Sequence, residues 1–521
     1  MSALQTTKLE TQLKSMCDSL RGQMDSNEYK NYILSILFYK YISTDFENYL
    51  KTSLIGEQGQ EVSMDEIINQ WYSPESEAIF KQTSIDEKGF FIEPHHLFSQ
   101  IIRSIDKGNE WINDLQGGMN DVSNSAEQYG DDQGSELTDL FQDVDLTNNK
   151  LGATTSEKEA TLKNILLEID QVINDIHDSD ILGDAYEYLL REFASSAGKK
   201  GGEFYTPHNV SKLVARIATH GHEDAKSIYD PTCGSGSLLI QAAKSLDSNK
   251  LERICGQELN VTTYNLARMN MLLHGFHFNQ FSIKQGNTLN DDKFQDNKFD
   301  VIVANPPFGT KWDSTRNEDD VRFKDYGKLA PKSKGEFAFI QHMVYHLSNE
   351  GTMATVAPLG VLFRGAAEET IRKYMIDKLD CIDAVIVLPS NLFYGTGIPA
   401  CILVCKKSRK DKDIFFIDAS NEYEKQKTQN VLTDEIIDKI LNTYIKRKDV
   451  DKYARNVSVK EIQDNDYNLN IPRYIDTFEE EEPIDIIEVN KQLKELKSKI
   501  KEKEEKLEEL LKELVEVDNV K

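Results

Sequence analysis

The chain has 521 residues, 39% of them apolar and 29% charged, and a formal net charge of −27 at pH 7. That length admits two or three domains around a large core, and that composition excludes a wholly disordered protein. So acidic a molecule is repelled by phosphate backbones, which confines any work on nucleic acid to local basic clusters or a basic partner.

Residues 1–12 are polar and carry no apolar core ahead of a cleavage site, so no secretion signal is expected. No run reaches membrane-spanning length, and no membrane partner is expected. The six cysteines, Cys17, Cys233, Cys255, Cys381, Cys401 and Cys405, form no Cys-x-x-Cys pair. Reduced, buried thiols in a cytoplasmic protein are expected, with no metal site.

From about Lys8 to Leu50 the apolar residues Leu9, Leu13, Met16, Leu20, Ile33, Ile36, Leu37 and Tyr41 recur at helical spacing. Helical segments continue to about Leu190, and residues 1–170 read as an N-terminal helical domain. Within it, residues 117–155 are polar, acidic and rich in Gly, Asn, Ser and Asp, with room for one helical turn at Leu137 to Phe141. This stretch reads as a long surface loop or mobile arm.

Between Gly202 and about Lys407 short β-rich runs alternate with helical windows. Residues 227–230, 253–256, 281–283, 299–304, 353–357, 382–388 and 400–405 read as seven strands. The expected fold is α/β, a doubly wound Rossmann-like sheet with helices on both faces, over residues 171–475. Gly395 and Gly397 lie in the connection to the last strand, which is expected to enter antiparallel. A ligand belongs at the carboxyl ends of the first strands, where the sheet order reverses.

The first strand runs into Asp230-Pro231-Thr232-Cys233-Gly234-Ser235-Gly236-Ser237, which opens a helix. Gly234 and Gly236 let the backbone approach a ligand closely. Leu239 occupies the third glycine's place of a dinucleotide motif, and Asp230 sits where a pyrophosphate would be repelled. S-adenosylmethionine, with an ammonium and a sulfonium, suits that carboxylate, and Thr232, Gly234, Ser235, Gly236 and Ser237 are the loop's candidate contacts. Glu258 ends the second strand, placed to bind both ribose hydroxyls. Asn287, after the third strand, is a candidate for the cofactor's adenine. Upstream, Glu203-Phe204-Tyr205-Thr206-Pro207 precedes a helix beginning near His208. Thr206 suits its cap and Pro207 its first position, and the stretch is expected to close over the cofactor's methionine end.

The fourth strand ends in Asn305-Pro306-Pro307-Phe308. The Asn305 amide oxygen and the Pro306 carbonyl can accept hydrogen bonds from one exocyclic amine, drawing its lone pair out of conjugation. Two prolines fix φ, remove donors and hold the preceding residues extended. Phe308 offers a face to a planar base. Lys311, Arg316, Arg322, Lys324, Lys328, Lys332 and Lys334 follow as a local basic segment, read either as a grip on DNA phosphates or as a solvated loop.

After the acidic run Glu479-Glu480-Glu481-Glu482-Pro483, Ile486, Val489, Leu493, Leu496, Ile500, Leu507, Leu510, Leu514 and Val517 alternate three and four apart, broken at Lys503. Residues 476–521 therefore read as a coiled-coil helix for subunit assembly.

On these residues the chain resembles the modification (methyltransferase) subunits of type I restriction-modification systems, which are DNA adenine N6-methyltransferases. The matching elements are Gly202 to Pro207, Asp230 to Gly236, Glu258, Asn305 to Phe308, and Asp466-Tyr467-Asn468-Leu469-Asn470-Ile471 ahead of the heptad tail. The resemblance implies a seven-stranded methyltransferase sheet and methyl transfer from S-adenosylmethionine to the N6 amine of a flipped adenine in DNA. It also implies a separate specificity subunit that reads the sequence, two modification subunits to each, with the C-terminal helix packed against it, and a restriction subunit that joins them. Asn287 departs from the Asp that related enzymes often carry. Methylation of cytosine N4, methylation of a protein glutamine amide, and an inactive scaffold remain open on the residues alone.

Overall fold

The computed structural model describes residues 10–17, 26–54, 63–71, 77–105, 107, 110–127, 136–173, 179–196, 206–247, 249–393, 396–427, 429–476 and 486–518. Residues Met1–Ile475 make one compact unit and Asp476–Lys521 a second.

The first unit opens on helices α1 (Ser26–Leu54), α2 (Met64–Trp71), α3 (Glu77–Lys88), α4 (Phe98–Ser104), α5 (Glu110–Ala126), α6 (Thr155–Ile173) and α7 (Ser179–Ser196). Their apolar faces share one core, built around Ile33, Phe38, Phe46, Leu115, Ile165 and Tyr186, which also takes in Leu266, Met269 and Leu273 from the sheet region.

The structure departs from the expected 117–155 loop. Residues 117–126 complete α5. Beyond them Leu137, Leu140, Phe141, Val144, Leu146 and Leu151 are buried in the helical core. This segment is pinned by polar contacts too: the Glu136 carboxylate accepts from the Ile283 amide at 3.1 Å, and buried Arg268 donates to the Thr138 carbonyl at 2.8 Å. Its polar composition hides a handful of apolar side chains that carry the packing.

The strands are β1 (Ser227–Asp230), β2 (Arg253–Glu258), β3 (Phe281–Gln285), β4 (Phe299–Ala304), β5 (Leu347–Pro358), β6 (Ile382–Val387), β7 (Ala400–Lys406), β8 (Ile414–Asp418), the small hairpin β9 (Glu424–Lys425) and β10 (Asn430–Val431), and β11 (Ala454–Val457). The main sheet runs β11-β8-β6-β7-β5-β4-β1-β2-β3. All seven expected strands are in it, and β8 and β11 extend it to nine among the described residues. The expected number seven is therefore corrected. β7 pairs antiparallel with both β5 and β6, as its entry loop predicted. The sheet is thus mixed, and its β3-β2-β1-β4-β5 portion is all parallel.

Helices α8 (His208–Thr219), α9 (Ser237–Lys244), α10 (Val261–Leu273), α11 (Glu336–His346), α12 (Ala367–Asp377), α13 (Asp434–Lys446) and α14 (Val459–Asp464) complete the unit. Alternation along β4 sorts them into two layers. Val301 and Val303 pack with α8, α9, α10 and α13, whereas Ile302 and Ala304 pack with α11, α12 and α14. All six cysteines are buried, and none is in a disulfide. No described helix is long and apolar enough to cross a membrane.

The second unit is helix α15 (Ile486–Asp518). Val489, Leu493, Leu496, Ile500 and Leu507 are each about half exposed on it, 48 to 59%. The side chains of Ile486, Leu510, Leu514 and Val517 lie outside the described residues.

Candidate active site

Sheet order reverses between β1 and β4, the position where open α/β sheets bind ligands. Tyr229 pairs with Ile302, so Asp230 and Asn305 leave neighbouring strands at the same edge of the sheet, with Asn305 two residues further out along its strand. Asp230 pairs with Gly256 on β2, two residues before Glu258. Three of the expected motifs therefore converge on one rim.

The loop after β1 folds back on β2: the Cys233 amide donates to the Gln257 carbonyl and the Gly236 amide to the Cys233 carbonyl. Gly234 and Gly236 have φ of +54° and +81°, a region side chains avoid. A Cβ at Gly234 would meet nothing within 4 Å, so the loop borders open space. Asp230 is fully buried. Its Oδ1 accepts from the Thr232 amide at 2.9 Å, and its Oδ2 has no partner. Burial above all, aided by the charge of Glu258, pushes its pKa up to about 8 against the opposing Thr232 hydrogen bonds. An orphaned buried carboxyl oxygen beside a glycine-lined space suits a cationic ligand.

Glu258 accepts from the Gly234 amide through Oε2 at 3.0 Å and from the Asn260 amide through Oε1 at 2.9 Å. It braces the loop, and a carboxylate oxygen accommodates a second donor. Beside it Leu259 and Val261 are exposed, at 60% and 41%, an apolar step at the rim that periodicity did not single out. The Asn287 Oδ1 accepts from the Leu289 and Asn290 amides at 3.2 and 3.3 Å. Its oxygen is thus engaged in its own turn. The Ser235 carbonyl accepts from the Asn270 amide at 2.9 Å, and Ser237 is buried at the first position of α9.

Thr206 is not a helix cap. Helix α8 begins at His208 with Pro207 as its cap residue and no side-chain cap bond. The Thr206 hydroxyl instead accepts from the Asn305 side-chain amide at 2.8 Å. That bond engages one N–H of the amide and fixes its rotamer, leaving Oδ1 as the end that can accept. Glu203, Phe204 and Tyr205 lie outside the described residues.

The turn after Asn305 is held from several sides. The Pro307 carbonyl accepts from the Thr310 hydroxyl at 3.0 Å, and the Gly309 amide donates to Glu336 at 3.3 Å. Arg364 stands 3.4 Å from the same Glu336 oxygen. Pro306 is buried, and Phe308, partly buried, meets Phe393 edge-on at 6.4 Å between centroids. Neither Glu336 nor Phe393 is visible from spacing, because each contact is long-range.

In the basic segment Lys311, Lys324, Lys328, Lys332 and Lys334 are exposed. Arg322 is corrected: it is buried and faces inward. It donates to the Thr288 and Leu289 carbonyls at 2.8 and 2.9 Å, and pairs with Asp320 at 2.7 Å. It also donates to His342 Nδ1 at 2.9 Å, whose Nε2 meets the Tyr229 hydroxyl at 3.0 Å. Asp292, His342 and His346 lie within 4.8 Å of one another, but hydrogen bonds to Arg322, Tyr229 and the Asn297 carbonyl already engage the two histidines. Burial would raise the Asp292 pKa, yet the His346 hydrogen bond and the neighbouring histidine charges bring it down to about 2. This buried network clamps the loop after β3 to β1. Arg316's side chain lies outside the described residues.

The sequence model of the N-6 DNA Methylase family matches residues 177–483, and that of the HsdM N-terminal domain matches residues 9–169. The chain is 38% identical to the type I restriction enzyme MpnII methylase subunit of Mycoplasma pneumoniae, over 99% of this chain and 98% of that one. It is 31% identical to the MjaVII methylase subunit of Methanocaldococcus jannaschii, over 96% and 83%. The crystal structure of the type I restriction-modification methyltransferase subunit from Streptococcus thermophilus superposes with a TM-score of 0.82 at 41% identity, over 90% of this chain and 99% of that one. A fold with carboxylates and an acceptor amide on one rim, and relatives matched from end to end, lead to one conclusion: the chain belongs to the N-6 DNA methylase family, as a methylase subunit of the type I restriction-modification kind.

Proposed function

We propose that the rim of β1, β2 and β4 holds S-adenosylmethionine beside a flipped adenine, and that Asn305, Pro306, Pro307 and Phe308 carry the transfer to its N6 amine. The observation that carries this reading is the Asn305 to Thr206 bond, which leaves the amide oxygen as acceptor at the end of β4. Asn305 Oδ1 and the Pro306 carbonyl accept hydrogen bonds from the amine's two N–H groups and localise its lone pair, while Phe308 stacks on the extruded ring. A neutral amide is no general base, so its work is orientation. The orphaned Asp230 oxygen and the open space at Gly234 fit the methyl donor. Asp230 faces its positive charge, Thr232, Gly234, Ser235, Gly236 and Ser237 its chain, Glu258 its ribose, and Asn287 its adenine through the side of the amide not engaged in the turn. Glu203, Phe204, Tyr205, Thr206, Pro207 and His208 close over its methionine end. When bound, S-adenosylmethionine supplies an electrophilic methyl group on sulfur.

In this reading residues 1–170 form a helical domain, 171–475 the methyltransferase domain and 476–521 an assembly helix. The half-exposed seam of α15 supports packing on a specificity subunit, two copies of this chain to one, with a restriction subunit joining. The acidic charge supports a partner that brings DNA to the site. Six cysteines outside any disulfide support a cytoplasmic location. The test is methylation by the purified chain with its specificity subunit, followed by mass spectrometry of digested DNA. N6-methyladenine is expected, and N4-methylcytosine alone refutes the assignment.

A further inference from the structure

Behind the loop after β1 lies a second polar cluster, on side chains that the motifs do not include apart from Ser237. Helix α7 brings Glu187, α9 begins with Ser237, and α10 contributes Asn270 and His274, all four buried. Their existing bonds are few. Glu187 Oε2 stands 3.4 Å from His208 Nδ1. The Asn270 amide donates to the Ser235 carbonyl at 2.9 Å, and His274 Nδ1 donates to the Asn270 carbonyl at 3.0 Å. With these bonds made, Glu187 Oε1, Asn270 Oδ1, His274 Nε2 and Ser237 Oγ have no partner.

The polarity of those atoms is uniform. A neutral histidine that donates from Nδ1 presents Nε2 as an acceptor, and burial keeps His274 below its ordinary pKa, against the raising influence of Glu187. A carboxylate oxygen and an amide oxygen only accept, and a hydroxyl can do so. Burial raises the Glu187 pKa, but the His208 hydrogen bond and the adjacent Ser237 hydroxyl help to bring it below the ordinary value. The cluster therefore carries a standing negative charge. Ser237 lies beside that carboxylate without a well-formed hydrogen bond to it. Buried polar atoms are seldom left unpartnered, because each has given up water without gaining a replacement bond. Four such atoms, each able to accept, match a cation rich in N–H donors.

We propose that Glu187 and Asn270 form the subsite for the ammonium group on the amino-acid half of the methyl donor. The inference rests on the assignment of S-adenosylmethionine to the loop that Ser235 and Ser237 belong to. An ammonium brings three donors and a positive charge. Position agrees with chemistry, because the cluster joins that loop through Ser235 and Ser237 to His208, the last residue of the upstream segment assigned to the methionine end. Glu187 sits on α7, outside every motif, which is why the sequence does not reveal it.

The test compares two ligands on the full chain by isothermal titration calorimetry. S-adenosylhomocysteine carries the amino-acid half; 5′-deoxy-5′-methylthioadenosine lacks it. Glu187→Gln is expected to weaken S-adenosylhomocysteine at least tenfold and to leave methylthioadenosine within about twofold, with thermal melting showing a folded variant. An equal loss for both ligands, or no loss for either, overturns the proposal while leaving the cofactor assignment standing. Failure of the unaltered chain to bind either ligand, or S-adenosylmethionine itself, overturns the assignment and the proposal with it. Should Glu187→Gln not fold, Asn270→Ser carries the same comparison.

Discussion

Asp230 gives the sharpest test of the cofactor assignment, through pH. Burial holds its carboxyl up at about 8. A cation meeting it favours the ionised form, so the proton must leave as ligand binds. The sign follows: affinity for S-adenosylmethionine rises with pH up to the raised value and flattens above it. The ionised fraction is about one in a hundred at pH 6, about one in eleven at pH 7 and half at pH 8, and the apparent Kd scales with its inverse. Affinity should therefore improve about tenfold from pH 6 to 7 and about fivefold from 7 to 8, each full decade being worth about 1.4 kcal/mol. Titration calorimetry in two buffers of different ionisation enthalpy measures the proton directly, and release of about 0.9 proton is expected at pH 7. Asp230→Asn should bind more weakly and lose the pH dependence. A Kd for the unaltered chain that stays level from pH 6 to 8, with no proton released, refutes the assignment of Asp230 to the ligand's charge.

Replacing Asn305 by Ala should lower the methylation rate by about 10² to 10³, the range for removing one well-placed polar group from a reacting centre, while the Kd for S-adenosylmethionine by calorimetry stays within about threefold. Arg322→Ala, which strips a buried guanidinium from Asp320 and from the Thr288 and Leu289 carbonyls, should cost about 3–5 kcal/mol; an unchanged melting temperature would show that it clamps nothing. Glu136 is held by burial at about 7, despite Lys284 and Arg268 nearby. Its folded pKa lies above its unfolded one, so stability is greatest below the unfolded pKa and falls as pH rises towards 7, by up to about 3 kcal/mol. Glu136→Gln should erase that slope in melts taken from pH 4.5 to 8. On α15, Leu493→Glu with Leu496→Glu should abolish co-purification with the specificity subunit and leave the Kd for S-adenosylmethionine unchanged.

The central strands were legible because strands buried on both faces read as short apolar runs, as Val301 to Ala304 and Ala400 to Cys405 do. β8 is such a run as well, Ile414-Phe415-Phe416-Ile417, but it stands after a lysine-rich turn and beyond the count expected of the sheet. β11 offers no run at all: Arg455 and Asn456 sit between buried Ala454 and Val457 on the sheet's edge. Residues 136–151 were misread because composition averages over the few side chains that matter, Leu140 and Phe141 among them. Asp230, Glu258 and Asn305 were legible because strand ends fix their place in any sheet of this kind. Their supports were not. Thr206 reads as a cap in one dimension, and only folding brings it to a partner 99 residues away. Arg322 reads as one more surface cation until its loop turns inward.

The Asn305 to Thr206 bond has a bearing on order of events. One hydroxyl, in the stretch assigned to the methionine end, also sets the rotamer of the group that receives the base. Whatever steadies Thr206 then steadies both sites, and thermodynamics makes the effect reciprocal. Saturating one substrate should raise the affinity of the other by a common factor, and Thr206→Val should bring that factor towards unity.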